Sequence, residues 1–221
     1  MEIDLDVLKS FGAIIGCDEV GRGPIAGPVN ACAAKITKSN KLILKKLIEL
    51  NVTDSKKLSD KKRNVILEKL NIDTSNIVLN KVYSNNILGE EFSYCVTEHT
   101  HEEIDQMNIL QASLSAMKNA SDQLVEKDSK ILIDGNKIFK AKCETEAVVK
   151  GDSKVVAIGL ASIIAKVFRD EKMKAYDKQY PGYNLGKHAG YPTKEHRNAV
   201  QKIGPSPIHR KTFKGVKEFF Q

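Results

Sequence analysis

The sequence has no apolar run approaching the roughly 20 residues that a bilayer-spanning helix needs, so no membrane-spanning helix is expected. Its first residues, Met1-Glu2-Ile3-Asp4-Leu5-Asp6, are acidic where an export leader would be basic, and no such leader is expected. Four cysteines, at 17, 32, 95 and 143, include no CxxC pair and no regular spacing. That pattern argues against a disulfide scaffold or a closed zinc site and fits a reducing, cytoplasmic setting. Cys95 and His99 stand four apart with His101 following, which leaves open a metal pair on a helix beside the plainer reading of packed or surface residues. Internal repeats, low-complexity tracts and an evident linker are also missing. The 221 residues are therefore expected to form one domain, 1–221, with a basic helical C-terminal region from about 178–221, acting as a monomer.

The net charge of +7 says little until its layout is considered. Residues 35–70 hold eleven Lys/Arg against four Asp/Glu, and residues 185–221 hold eight against two, so the remainder is acidic. Two cationic flanks around an acidic middle suit a protein that grips phosphate backbones at its sides and holds cations at its centre. Ordinary solvated helix faces would produce the same numbers.

Hydrophobic patterning gives an outline. Ala13 to Glu19 reads as a buried strand, and Gly21, Gly23, Pro24, Gly27 and Pro28 punctuate a turn before a second strand through Ala34-Lys35-Ile36. Leu42 to Leu50 and Ser59 to Leu70 suggest basic amphipathic helices, the second capped by Ser59. A third strand is expected over Ile77 to Tyr83, a long helix over Ile104 to Leu124, and short strands over Ile131 to Asp134 and Glu146 to Lys150. A helix capped by Asp152 or Ser153 runs to about Lys174, apolar nearly all round from Val155 to Val167 and so buried. Strands interleaved with helices indicate an α/β domain whose mixed sheet is covered on both faces, with functional groups at strand ends.

Four acids fall where an isolated carboxylate would be costly: Asp18 and Glu19 ending one apolar strand, Asp134 ending another, and Asp170 late in the buried helix. Asp170 shares a face with Ile163 and Val167; a structural ion pair with Lys166, four residues earlier, is its alternative role. Four clustered negative charges require cations, and two Mg²⁺ ions about 4 Å apart would balance them and support phosphodiester hydrolysis. Adjacent strand residues point to opposite faces, so the strand must end or twist at Asp18-Glu19 for both to serve one site.

The segment from Cys17 to Val29, CDEVGRGPIAGPV, resembles the opening signature of ribonuclease HII. Asp54-Ser55-Lys56-Lys57-Leu58-Ser59, Met107 to Ser113, Ile133-Asp134-Gly135-Asn136, Ala161 to Asp170, Gly190-Tyr191-Pro192-Thr193 and Gly204 to Arg210 resemble its later blocks in order, in the bacterial form. Departures are Val20, where alanine is common, and Cys17 before the acidic pair. The resemblance implies an RNase H-like α/β fold, a central mixed five-stranded sheet flanked by helices, plus a helical C-terminal region. It further implies that Asp18, Glu19, Asp134 and Asp170 are the catalytic, metal-binding carboxylates, serving two Mg²⁺ or Mn²⁺ ions. Cleavage on the 5′ side of ribonucleotides in DNA duplexes or RNA/DNA hybrids, leaving 3′-hydroxyl and 5′-phosphate ends, is the implied activity.

By the same likeness Gly21, Arg22 and Gly23 contact the junction nucleotide around its 2′-hydroxyl, and Tyr191 packs on the following deoxy sugar. Lys56, Lys57, Lys187 and Arg210 are candidate phosphate contacts; Lys166 orients Asp170 or reaches substrate, with Ser162 one turn earlier on the same face. Of the histidines, His209 lies in a family-like block, whereas His99, His101, His188 and His196 read as surface or structural. The ending Val216-Lys217-Glu218-Phe219-Phe220-Gln221 faintly resembles a sliding-clamp-binding tail without its leading glutamine, or is a helix end packed on the body. Two rivals remain: a ribonuclease HIII-like hybrid nuclease, which usually has an extra N-terminal domain where 17 residues precede Asp18 here, and a catalytically silent nucleic-acid-binding protein.

Overall fold

The computed structural model describes residues 2–221. Helix α1 (Glu2–Ser10) leads into β1 (Ala13–Val20), which the glycine-rich segment joins to β2 (Val29–Thr37). Helices α2 (Lys41–Glu49) and α3 (Asp60–Lys69) follow, then a hairpin of β3 (Val82–Ile87) and β4 (Glu90–His99), then α4 (His101–Met107) and α5 (Ile109–Asp122). Strands β5 (Ser129–Asp134) and β6 (Glu144–Val148) precede the long helix α6 (Val156–Gln179), then come α7 (Leu185–His188) and α8 (Lys194–Ile203), and a single 3-10 turn, Lys217–Phe219, ends the regular structure. Among the described residues no helix is long and apolar enough to cross a membrane.

The sheet order is β3-β4-β2-β1-β5-β6, with β1, β5 and β6 parallel and β2, β4 and β3 antiparallel to their neighbours. The mixed α/β architecture matches expectation, but the sheet has six strands rather than five. Strand β4 escapes the sequence pattern because its buried centre, Phe92 to Thr97, is bracketed by Glu90-Glu91 and Glu98-His99. Its presence removes the Cys95–His99 metal pair, since four residues along a strand span about 13 Å. The expected strand from Ile77 begins only at Val82. The single helix expected over 104–124 is two, because Asn108 takes a left-handed φ of 68° and caps α5 by accepting from the Leu110 and Gln111 amides.

Period-two alternation divides the core between the sheet's faces. Ile14, Cys32, Ala34 and Ile36 join α2, α3 and α6 on one side, while Ile15, Cys17, Ala31 and Ala33 meet Ala116, Met117 and Ala120 of α5 on the other. A side chain at Gly16 would overlap the backbone of Ala157 and Ile158, so the first turn of α6 seats directly on β1. That turn is not capped by Asp152 or Ser153. The buried Asp4 carboxylate of α1 accepts from Val156 (3.0 Å) and Ala157 (3.3 Å) instead. A third apolar cluster, with Tyr183, Leu185, Val200, Ile208 and Val216, packs the C-terminal region on Ile25 and Ala26 of the glycine-rich segment.

Candidate active site

Parallel pairing of β1 with β5 ends at Cys17 opposite Ile133, so Asp18, Glu19 and Asp134 all emerge at the carboxyl ends of two adjacent strands. Beyond Val20 the chain turns at Gly21 (φ 95°), a conformation that side chains disfavour. The Asp18 carboxylate folds back to accept from the Glu19 amide at 2.8 Å, and both side chains line one cleft despite their alternate positions. This cleft of about 750 Å³ is lined by Asp18, Glu19, Asp134, the Val20–Gly23 corner, Ser55, Lys56, Ser162, Lys166 and Tyr191.

The acids sense one another. Burial pushes the Asp18 pKa well up, and the charges of Glu19 and Asp134 push it further, against a hydrogen bond from Ser162. Glu19 is also raised, by burial first, with Arg22 opposing at 3.3 Å. Asp134 accepts from the amides of Gly151 (2.7 Å) and Asp152 (3.4 Å), which fixes its carboxylate against the turn after β6. Asp152 therefore stands beside it, with its own pKa raised by burial, then by Asp134 and Asp54. Burial of Lys56 works to lower its pKa, but Asp18, Asp54 and Asp152 together raise it, placing this cation amid the cluster.

Asp170 is not part of this arrangement, which corrects the sequence reading. It lies beyond the cleft, in a crevice with Asp60, Arg63 and Lys174, and Lys166 intervenes by binding it at 2.6 Å. Its second cation is the buried Arg63 (3.8 Å), whose guanidinium donates to the carbonyls of Ser55 and Leu58 and so holds the turn presenting Ser55 and Lys56. Helical spacing places Asp170 on the face of α6 that presents Ser162 and Lys166 to the cleft, but one turn beyond Lys166. Asp152, expected as a helix cap, lines an adjoining crevice with Thr53 and Ser153, and its charge interacts with Asp134 and Lys56 of the cleft. In the sequence it is marked only by the Gly151-Asp152-Ser153 turn between a strand and a helix.

A divalent cation fits the donor set. Buried carboxylates whose mutual repulsion is only partly offset by Lys56 and Arg22 are hard oxygen donors suited to Mg²⁺ or Mn²⁺. No three His, Cys, Asp or Glu side chains among the described residues already converge in ligating geometry.

Arg210 is also corrected. Rather than facing phosphate, it is fully buried and donates to the carbonyls of Gly21 (2.6 Å), Arg22 (3.0 Å), Gly27 (2.9 Å) and Pro28 (2.9 Å). The buried Arg169 clasps the same segment through Ala26 and Pro28 and reaches Ala189. In planar trans peptides, carbonyls of Gly21 and Arg22 turned to Arg210 direct the Arg22 and Gly23 amides the opposite way. Tyr191 packs its ring over Gly23, where an added Cβ would lie 3.3 Å away. Lys57 and Lys187 stand outside the cleft lining, bonded to Ser153 Oγ (2.9 Å) and Glu195 (2.7 Å) respectively.

The family profile described as Ribonuclease HII matches residues 15–216. A ribonuclease HII from Francisella tularensis subsp. tularensis (strain WY96-3418) is 39% identical over 203 residues, 92% of this chain and 96% of that protein. Ribonuclease H2 from Pyrococcus horikoshii OT3 superimposes with a TM-score of 0.65 at 26% identity, covering 93% of this chain and 96% of the other. At 19% identity, and so for the fold alone, the RNase HII of an Archaeoglobus fulgidus PCNA complex gives 0.67 (91% and 95% covered), and Bst-RNase HIII with Mn²⁺ gives 0.65 (99% and 72%).

Proposed function

The chain belongs to the ribonuclease HII family, and we propose that its cleft hydrolyses the phosphodiester on the 5′ side of a ribonucleotide in duplex DNA or an RNA/DNA hybrid. One observation carries this reading: Asp18, Glu19 and Asp134 share a single cleft with the Gly21–Gly23 backbone and Tyr191. Asp18, Glu19, Asp134 and Asp152 are proposed as the residues that hold two divalent cations, Mg²⁺ or Mn²⁺. Bound there, such ions supply a lowered pKa for the attacking water and positive charge for the leaving oxygen.

The remaining tasks fall to the protein. Gly151 and Asp152 amides orient the Asp134 carboxylate. The Arg22 and Gly23 amides, freed by the Arg210 clasp, offer donors to the sugar and phosphate at the cut, where the 2′-hydroxyl distinguishes RNA from DNA. Tyr191 provides a flat surface for the next sugar. Lys56 and Lys166 line the cleft as cations for phosphate, positioning substrate without reading sequence.

The test is to offer an end-labelled DNA duplex with one embedded ribonucleotide, beside an all-DNA control, with and without divalent metal. Metal-dependent cutting at the 5′ side of the ribonucleotide, leaving 3′-hydroxyl ends, is expected; equal cutting of the all-DNA duplex, or none with metal, refutes the reading.

A second interaction rests on the tail: Val216 is buried, whereas Phe219 and Phe220 remain exposed. These paired aromatics are proposed to dock on a sliding clamp. Retention by immobilised clamp should disappear in Phe219→Ala/Phe220→Ala, and lack of retention of the wild type dismisses it.

A further inference from the structure

Two buried histidines that the reaction does not use lie behind Tyr191. His196 Nε2 and His209 Nε2 are 3.0 Å apart, and the other atoms of each ring determine which of the two donates. The Ser206 amide donates to His209 Nδ1 at 2.9 Å, so that nitrogen is an acceptor and the proton of a neutral His209 is on Nε2. His196 Nδ1 lies 3.0 Å from the Tyr191 carbonyl, which can only accept, so His196 carries its proton on Nδ1 and receives from His209 at Nε2. A single-direction chain results: Ser206 N–H to His209, His209 to His196, His196 to the Tyr191 carbonyl.

Both rings are buried, His196 at 0% and His209 at 1% exposure. Burial drives each pKa down to about 4, in keeping with a chain that works only when both are neutral. The Tyr191 carbonyl also accepts from Thr193 N–H at 2.8 Å, but that bond lies within the local turn. The histidine chain hydrogen-bonds Tyr191 to the C-terminal segment, which itself bridges to the glycine-rich corner through His209 opposite Ala26.

We propose that His196, supported by His209, is a positioning residue that fixes the Tyr191 ring over Gly23 and thereby sets how the enzyme engages the sugar beside the cut. This rests on the ribonuclease reading above, in which Tyr191 contacts substrate.

A double-mutant cycle on the single-ribonucleotide duplex tests it, since two residues acting through one contact lose activity non-additively. His196→Ala should raise KM more than it lowers kcat and reduce kcat/KM roughly tenfold. In a Tyr191→Ala background the same change should have little effect on kcat/KM. His196→Asn, whose amide places a donor near the lost Nδ1, should recover much of the activity. Should His196→Ala fail to fold, His209→Gln, which retains a donor toward His196, and His209→Ala, which does not, complete the same cycle. An equal loss from the histidine change with and without the tyrosine ring, or no loss in either, overturns the proposal. Failure of the wild type to cut at the ribonucleotide refutes instead the reading on which it rests.

Discussion

Asp18 carries the largest electrostatic burden in the cleft, buried and facing Glu19 and Asp134. A raised folded pKa means that charging Asp18 opposes folding: its contribution is complete at low pH and declines as pH rises past the ordinary aspartate value. Bound cations reverse that balance by favouring the charged form. Metal binding should therefore release protons, and apparent Mn²⁺ affinity should climb with pH. Titration followed by Mn²⁺ electron spin resonance checks this, and the same measurement separates the two candidate fourth acids. Asp152→Asn should weaken binding at least about tenfold, the scale of losing a ligand or its orienting partner. Asp170→Asn should leave affinity within a factor of about two. Asp18, Glu19 and Asp134 were legible because an apolar strand that ends in a carboxylate must deliver that charge to a cation or to solvent. That Asp170 falls outside the cleft was not, since facing along a helix does not reveal where that helix passes the sheet's edge, and neither was the burial of Arg210 against carbonyls and the Phe213 ring, since a buried cation looks the same in sequence as an exposed one.

At the scale of elements, the first turn of α6 depends on a residue some 150 positions away. Asp4→Ala should destabilise the protein by about 1–2 kcal/mol, leaving the Val156 and Ala157 amides without their cap. Urea unfolding should show a lower midpoint at unchanged slope. No local pattern could have announced this cap, because the Asp4 side chain meets α6 only through tertiary packing. Helix α3 was legible for the opposite reason: Ser59 accepts from the Lys62 amide within its own turn. Strand β4 and the corner at Asn108 were missed because buried centres with polar ends, and one left-handed residue inside a helical period, leave weak marks on hydrophobic spacing.

For the whole molecule, the C-terminal region acts as a clasp as much as a basic flank. Arg210, Arg169 and the His196–His209 chain hold the glycine-rich corner and Tyr191 together across sequence separations that only the fold closes. Because the folded state keeps both imidazoles neutral, protons favour the unfolded chain. Their contribution is complete above the usual histidine pKa of about 6.5 and is lost as pH falls toward about 4. The charges of His188, stacked on His196, and of His101 near His209 work in the same direction as burial, and Tyr183 packs against both buried rings. Denaturation midpoints measured from pH 8 to pH 5 should fall more steeply for the wild type than for His196→Gln/His209→Gln, whose amides do not titrate. Parallel pH profiles would show that the pair does not stay neutral on folding.

The most direct measurement of the central claim is single-turnover cleavage of the single-ribonucleotide duplex by the wild type, Asp134→Asn, Asp152→Asn and Asp170→Asn at saturating Mg²⁺. The first two variants should lose at least about a hundredfold in rate while still binding duplex, and Asp170→Asn should stay within about threefold of the wild type. Near-normal cleavage by Asp134→Asn or Asp152→Asn, or collapse with Asp170→Asn alone, would contradict a metal centre built at the ends of β1 and β5.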